Sequence, residues 1–261
     1  MLTQPVIQRE STPFARVEVL DQFRIVMHGH EVPVSDSGAR LVACLALGDR
    51  PRTRPSLATT LWADRSETDA QASLRRTLWR LNEVAEGLVE RSGHRLALAE
   101  DVTVDAREVM VLADDVANGR QPIRTNSDAV RLLQGELLPS WSDDWLDGSR
   151  ESMRQARLHT LEALARAALD VDRPQAALTI GLAAVGIDPL RESARRLVIT
   201  AHLAEGNPVD ALRHYKAYRE LLWIEIGLRP SRQLQALLAE GCGPIARPGS
   251  RARRSPRTPR R

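Results

Sequence analysis

The sequence predicts a mainly α-helical protein with a small β component, arranged as two domains. Short β-prone runs near the N-terminus precede three amphipathic helical segments, and a long helical stretch with an internal repeat follows them. A chain of 261 residues is long enough for two domains that each bury a core. We therefore expect domains at 16–98 and 99–241, between disordered ends at 1–15 and 242–261.

The first predicted elements are β-strands. The runs 17–20 and 23–27 are rich in apolar and β-branched residues and are separated by a polar pair. A turn at 28–30 leads to a third run at 32–34, so the three runs predict a small antiparallel sheet. Because Pro33 cannot donate a backbone hydrogen bond, we expect it at a sheet edge or a strand end.

Three helical segments follow the predicted sheet. The first carries a broad apolar stripe around 41–46. The second is expected to begin after Thr53 as its N-cap, with Pro55 in its first turn. The third, at about 68–86, is opened by a capping-box pattern at 66–69.

A hairpin is predicted after the third helix. The runs 89–91 and 95–98 flank a turn at 92–94 that contains Gly93. The order of sheet, three helices and hairpin is typical of a winged helix-turn-helix domain with an N-terminal sheet. We therefore interpret 16–98 as a winged helix-turn-helix domain.

The stretch from about residue 102 onward has a helical pattern almost throughout. Within it the segment 174–178 (PQAAL) is matched 34 residues later by 208–212 (PVDAL). This period, with Ala177 and Ala184 at positions where two helices approach closely, is typical of tetratricopeptide repeats. We therefore expect 99–241 to be a tetratricopeptide-like, all-α helical-repeat domain.

The third predicted helix has two different faces. With Leu74 as origin and 100° per residue, an apolar set falls within about 40° of it: Leu74, Leu78, Leu81, Ala85 and Leu88. The opposite side carries Ala72, Arg76, Trp79, Arg80 and Glu83, with Ser73 and Arg75 on its flanks. Arginine can fork to guanine O6 and N7, and small side chains allow close approach to a groove.

Arginines on an exposed helix most often form only a solvated surface. Here they fall on the one helix that a winged helix presents to DNA, and this placement favours DNA binding. We therefore predict that this helix binds DNA and that Arg91, His94 and Arg95 on the hairpin contact a neighbouring backbone or minor groove. The residues predicted to bind DNA on the third helix are Ala72, Ser73, Arg75, Arg76, Thr77, Trp79 and Arg80.

Net charge adds little to this prediction. The formal charge is +3, yet residues 1–98 hold 13 arginines against 12 acidic residues, while 242–261 hold seven arginines and no acid. The basic isoelectric point therefore comes from the C-terminal segment. Flexible arginines there would act on phosphates and counterions of any DNA sequence.

The sequence gives little support for an enzyme or a membrane protein. The longest apolar run, 41–47, is far shorter than the roughly 20 residues of a spanning helix, and 1–14 lacks the apolar core of a secretory signal. Lys216 is the only lysine and follows no glycine-rich turn, which excludes a Walker A loop. Asp143 and Asp144 lie between tryptophans, and we expect them to cap a helix.

The histidines and cysteines predict no metal site and no disulfide. None of the six histidines has metal-ligand spacing, and Cys44 and Cys242 lie in an apolar helical run and a polar tail. We therefore expect no catalytic residue, no metal and no cofactor, and a cytoplasmic, nucleoid-associated protein.

Several motifs in register resemble the Streptomyces antibiotic regulatory protein family. The segment 69–81 (DAQASLRRTLWRL) resembles its recognition helix, and 132–145 (LLQGELLPSWSDDW) is similar to a second motif. Further similar segments lie at 188–194, 201–207, 211–215 and 225–231. The resemblance covers about 225 residues, and it implies an OmpR-type winged helix followed by a bacterial transcriptional activation domain.

The resemblance implies a transcriptional activator that binds direct repeats in double-stranded DNA, as a dimer on the DNA, and recruits RNA polymerase or its sigma factor. It implies polymerase or phosphate contacts at Arg52, Arg54, Asp64 and Arg65. The sequence shows no receiver or ATPase domain, so we do not expect the phosphorylation or ATP control of larger relatives. The alternative is a tetratricopeptide-like interaction scaffold with a degenerate winged helix.

Overall fold

A computed structural model describes residues 14–120 and 127–242. The chain forms two compact units that divide between Leu164 and Ala165. The element order confirms the predicted fold class, a winged helix followed by an all-α repeat region. The ends predicted to be disordered lie outside the described residues, except that Ala15 begins the first strand and Cys242 ends the last helix.

Four strands form the first sheet, in the order β3-β2-β1-β7: β1 (Ala15–Glu18), β2 (Arg24–Met27), β3 (His30–Glu31) and β7 (Val102–Val104). The antiparallel pairing of β1 with β2 and of β2 with β3 confirms the predicted small sheet. The third strand lies at 30–31 and not at 32–34, because a tight turn with positive φ at His28 and Gly29 returns the chain immediately.

Strand β7 differs from the helical pattern expected from residue 102 onward. It pairs in parallel with β1, and Val102 and Val104 are buried while Thr103 is half-buried. Three alternating β-branched residues favour a strand. Such a short run gives no periodicity that separates it from the helix that follows.

Asp105 ties this sheet to helix α4 (Asp105–Ala117). Its buried carboxylate accepts hydrogen bonds of 2.9 to 3.1 Å from the backbone N–H groups of Val19 and Leu20. Burial raises the pKa of Asp105, and the backbone donors oppose that rise. The first compact unit therefore continues well beyond residue 98. A functional domain boundary between residues 98 and 99 stays a prediction.

The helices of the winged helix are α1 (Asp36–Ala46), α2 (Arg54–Leu61) and α3 (Glu67–Val84). Their N-caps are Ser35, Thr53 and Ser66, each accepting a backbone N–H from three residues further on. The caps at Thr53 and Ser66 confirm the predicted starts of α2 and α3. All five residues of the predicted apolar face are buried, but α3 ends at Val84, so that Ala85 is its C-cap and Leu88 lies beyond the helix.

The predicted hairpin is present and is part of a second sheet. Strands β5 (Val89–Ser92) and β6 (Arg95–Leu98) pair antiparallel, and β4 (Arg52–Thr53) pairs with the other edge of β6. The backbone N–H of Arg54 also donates to the carbonyl of His94. The hairpin is thereby fixed to the start of α2.

The segment 135–138 packs against β1. The N–H of Leu138 donates to the carbonyl of Val19 at 3.0 Å, and the N–H of Asp21 donates to the carbonyl of Glu136. A Cβ on Gly135 would lie 2.9 Å from the Cβ of Leu20, so only glycine allows this approach. This contact gives a physical reason for the glycine in the family-like motif 132–145.

Two arginines of α6 (Asp147–Asp170) hold the end of α5 (Ser127–Gln134) and the loop after it. Buried Arg157 donates to the carbonyls of Leu133 and Gln134 at 2.7 Å. Arg150 donates to three carbonyls, those of Leu137, Leu138 and Trp141. The Arg157 bonds satisfy carbonyl groups that the end of α5 leaves without intrahelical partners, and the Arg150 bonds hold the loop.

After the end of α6, the described part of the second unit contains four consecutive helices: α7 (Pro174–Ile187), α8 (Glu192–Ala204), α9 (Pro208–Ile226) and α10 (Arg232–Cys242). Pro174 and Pro208 occupy the first positions of α7 and α9, so the 34-residue period corresponds to two helix pairs. A Cβ on Gly181 would lie 3.0 Å from a methyl group of Val198, which shows how closely α7 and α8 pack. No helix in the described part of the chain is long and apolar enough to cross a membrane.

Candidate nucleic-acid interface

Four of the predicted DNA-binding residues form one exposed surface on α3. Arg75, Arg76, Trp79 and Arg80 are all exposed, and the Trp79 side chain is 61% accessible. Ala72 is half-buried one turn earlier. The apolar face of α3 holds the helix in place, so this surface, which we call the α3 surface, is presented to solvent on a rigid element.

Ser73 and Thr77 are not on the α3 surface, although they were predicted to bind DNA. Both are buried, at 5% and 6% exposure. The hydroxyl of Ser73 donates to the carbonyl of Asp69 at 2.8 Å and accepts a hydrogen bond from Arg65 at 2.9 Å. Ser73 therefore orients an arginine and is not free to reach a base.

The three hairpin residues, Arg91, His94 and Arg95, are exposed as predicted. They lie at the two-residue end of the β5–β6 hairpin or next to it. Because the hairpin is fixed to the start of α2, these side chains and the α3 surface belong to one framework. A winged helix uses this arrangement to place a helix in a groove and a hairpin on the neighbouring backbone.

The residues expected to contact polymerase or phosphate have different environments. The guanidinium of Arg52 donates to the Cys44 thiol at 2.7 Å and to the hydroxyl of Thr60 at 3.3 Å. Burial raises the pKa of that thiol, and Arg52 opposes the rise. Arg52 is thus committed to packing, whereas Arg54 is half-buried and Asp64 and Arg65 are exposed.

A small polar cleft lies on one flank of α3. It has a cavity volume of about 190 Å³ and is lined by Ser35, Ser37, Trp62, Arg65, Ser73, Arg76, Thr77 and Arg80. The sequence analysis did not identify Ser35 and Ser37 as part of the site. Their position depends on how the start of α1 packs beside α3, and helical periodicity carries no information on that.

Asp143, one of the two adjacent aspartates between the tryptophans, has partners within the fold. Asp143 makes an ion pair with Arg40 and accepts a hydrogen bond from the indole N–H of Trp145 at 3.1 Å. It makes no side-chain cap, although the sequence predicted one, and both the ion pair and the indole contact its Oδ1. Within 14–120 and 127–242, no group of three histidine, cysteine or acidic residues could hold a metal ion.

The second unit exposes an apolar surface that the sequence analysis did not identify. Trp223, Ile224 and Leu228 are 58% to 69% exposed at the end of α9. Trp223 and Leu228 line a cleft of about 660 Å³ together with Tyr215, Arg219 and Pro230. Exposed apolar side chains of this size are typical of protein contact surfaces.

Comparisons with known proteins give a consistent result. A family model described as bacterial transcriptional activator domain matches residues 101–240. Regulatory protein AfsR of Streptomyces griseus is 29% identical over 212 residues, which cover 76% of this chain and 21% of that protein. Regulatory protein AfsR of Streptomyces coelicolor is 29% identical over 245 residues, which cover 88% of this chain and 24% of that protein.

A solved structure has the same fold over most of the chain. Mycobacterium tuberculosis EmbR, determined in complex with a low affinity phosphopeptide, aligns with a TM-score of 0.68 at 20% identity. The alignment covers 88% of this chain and 65% of that one. At this identity the likeness shows the fold alone. The chain spans only about a quarter or less of the length of the curated relatives it matches.

Proposed function

Because the chain belongs to the bacterial transcriptional activator domain family, we propose that it is a sequence-specific DNA-binding regulator of transcription, and that it acts as an activator. The observation that carries this proposal is the α3 surface, where Arg75, Arg76, Trp79 and Arg80 are exposed beside a fixed hairpin. α3 enters the major groove, and its arginines and Trp79 contact base edges. Arg91, His94 and Arg95 contact the adjacent backbone or minor groove.

We propose that the DNA target is a direct repeat near a promoter. Each copy of the repeat binds one protomer, so the protein is a dimer on DNA. Bound protomers recruit RNA polymerase or its sigma factor through the exposed loop between α2 and α3, which contains Asp64. Arg54, at the start of α2, contributes to the same contact.

The proposal requires neither a catalytic residue nor a cofactor. Binding to DNA and to polymerase uses only side chains of the chain itself, and Asp143 is engaged in an ion pair and an indole hydrogen bond. We therefore propose a protein that is not an enzyme and that acts in the cytoplasm on the nucleoid.

Chromatin mapping in the source organism tests this function directly. We expect discrete binding sites upstream of promoters, and footprints of the strongest site should protect two copies of a repeat in the same orientation. Reporter expression from that promoter should fall when the gene is deleted. Protection spread evenly over the genome would contradict sequence-specific binding.

One observation favours the alternative function, a protein-interaction scaffold. The apolar surface at Trp223, Ile224 and Leu228 fits protein binding without any DNA contact. Fluorescence anisotropy with genomic fragments separates the two functions. Equally weak binding to every fragment supports the scaffold, and a strong preference for one fragment supports the regulator.

A further inference from the structure

The polar cleft on the flank of α3 concentrates positive charge without a lining carboxylate. Arg65, Arg76 and Arg80 line it from two sides, and the hydroxyls of Ser35 and Ser37 line it from the start of α1. Within the described ranges, no salt bridge neutralises any of these three arginines. Three guanidinium groups around one small cavity all attract an anion placed between them, and such an anion offsets their mutual repulsion.

Arg65 is held in position for such an anion. Its guanidinium donates to the buried hydroxyl of Ser73, which is itself fixed by a hydrogen bond to the carbonyl of Asp69. A guanidinium has five N–H donors, so one hydrogen bond to Ser73 leaves others to bind a ligand. Orientation before binding lowers the entropy lost when an anion is bound.

The position of the cleft around α3 separates it from the groove-facing side. Measured from Leu74 at about 100° per residue, Arg75 and Trp79 lie near 100° and 140°, while Arg80 and Ser73 lie near 240° and 260°. Arg76, near 200°, lies between them. When the side opposite Leu74 faces the base edges, the cleft side faces one strand of the DNA backbone.

The geometry points to this cleft as a binding pocket for one DNA backbone phosphate. Arg65 and Arg80 hold its oxygens, and the Ser37 hydroxyl donates to them. This inference rests on the proposed DNA-binding function and assigns different residues to the DNA backbone and to the bases. Arg65 and Arg80 set affinity and register, whereas Arg75 and Trp79 face the base edges.

Neutral backbone substitutions test the pocket. In a fragment that the wild-type chain binds, each phosphate in turn is replaced by a methylphosphonate, and binding is measured by anisotropy. We expect one position per bound protomer at which the substitution weakens the wild-type chain by about ten- to a hundredfold. At that position Arg80→Ala and Arg65→Ala should lose sensitivity to the substitution, because the contact is already gone.

Salt dependence provides a second readout. Arg80→Ala should lower the slope of log affinity against log salt by about one and weaken all sequences alike. Arg80→Lys keeps the charge and should retain most of the slope, since lysine also binds phosphate. Arg131→Ala, at a side chain with 82% exposure on α5, is the matched control and should change neither quantity.

Three outcomes would overturn the pocket. The first is an Arg80→Ala variant that stays folded and changes base preference with an unchanged salt slope, which would make Arg80 a base contact. The second is full sensitivity to every methylphosphonate in both arginine variants. The third concerns inorganic phosphate as a competitor of DNA binding. If phosphate weakens DNA binding by the wild-type chain more than chloride does at equal ionic strength, and Arg65→Ala responds in the same way, the anion site lies elsewhere. A wild-type chain that prefers no fragment would remove the proposed function itself.

Discussion

Two groups of arginines in this chain are alike in sequence and opposite in environment. Arg150 and Arg157 on α6 donate to backbone carbonyls, and Arg107 on α4 donates to three carbonyls around the end of α1. Arg75, Arg76 and Arg80 on α3 are exposed. An arginine count therefore indicates nothing about DNA binding, whereas the partners of each guanidinium do. Those in the first group maintain the fold, and those in the second are available to a ligand.

The largest effect on stability is expected at an arginine that donates to backbone carbonyls. Arg157→Ala removes two hydrogen bonds to the carbonyls of Leu133 and Gln134 and leaves a cavity, so the free energy of unfolding should fall by about 2–4 kcal/mol. Urea titration measures this, with Arg157→Met as a variant that restores much of the packing. DNA affinity per folded molecule should stay unchanged.

The exposed arginines should behave in the reverse way. Arg76→Ala should weaken binding to the preferred fragment by about 1–3 kcal/mol and relax the preference at one or two base pairs. Its free energy of unfolding should stay within about 0.5 kcal/mol of wild type. Arg131→Ala again serves as the control. An unchanged footprint and affinity would remove Arg76 from the interface.

The sequence predicts much of this fold because the apolar residues of α3 recur at a regular helical spacing. Leu74, Leu78 and Leu81 of α3 are buried as predicted, and the caps at Thr53 and Ser66 lie where the patterns indicate. The family was also predicted correctly, since its motifs extend along most of the chain. Periodicity and motifs are local properties, which is why one sequence suffices for them.

What the sequence did not predict depends on neighbouring elements. Ser73 and Thr77 lie on the flank of the apolar face, and how much of a helix is buried depends on what packs against it. The same applies to Arg52 on β4, whose partner Cys44 lies on α1, and to the carbonyl partners of Arg157. The strand at Val102–Val104 is determined by its pairing with β1.

Ser73 lies between the two groups, because it fixes one exposed arginine. Ser73→Ala keeps the Arg65 side chain but removes the hydroxyl that orients its guanidinium. DNA affinity should therefore fall by about three- to tenfold, less than in Arg65→Ala. A Ser73→Ala, Arg65→Ala double variant should bind no more weakly than Arg65→Ala alone. Additive losses would show that Ser73 contributes independently of Arg65.

The smallest effect is expected at His214 in the second unit. This side chain is partly buried and, unlike arginine, it can lose its charge by releasing a proton. Its ring lies 5.0 Å from that of His202. Burial lowers the pKa of His214 most, and His202, Arg195 and Arg213 lower it further while Asp210 opposes them. Glu205 lies 3.9 Å from His202 on the same helix.

Because the folded pKa of His214 lies below its ordinary value near 6.5, the unfolded chain binds the proton more readily. The stability of the second unit should therefore be full above pH 6.5 and should be lost as the pH falls through that value toward the folded pKa. Thermal midpoints of the full chain between pH 8 and 5 measure this, with His214→Gln as the non-titrating control. Equal pH profiles in the two proteins would assign the loss to other groups, whereas a flatter profile in the variant would assign it to His214.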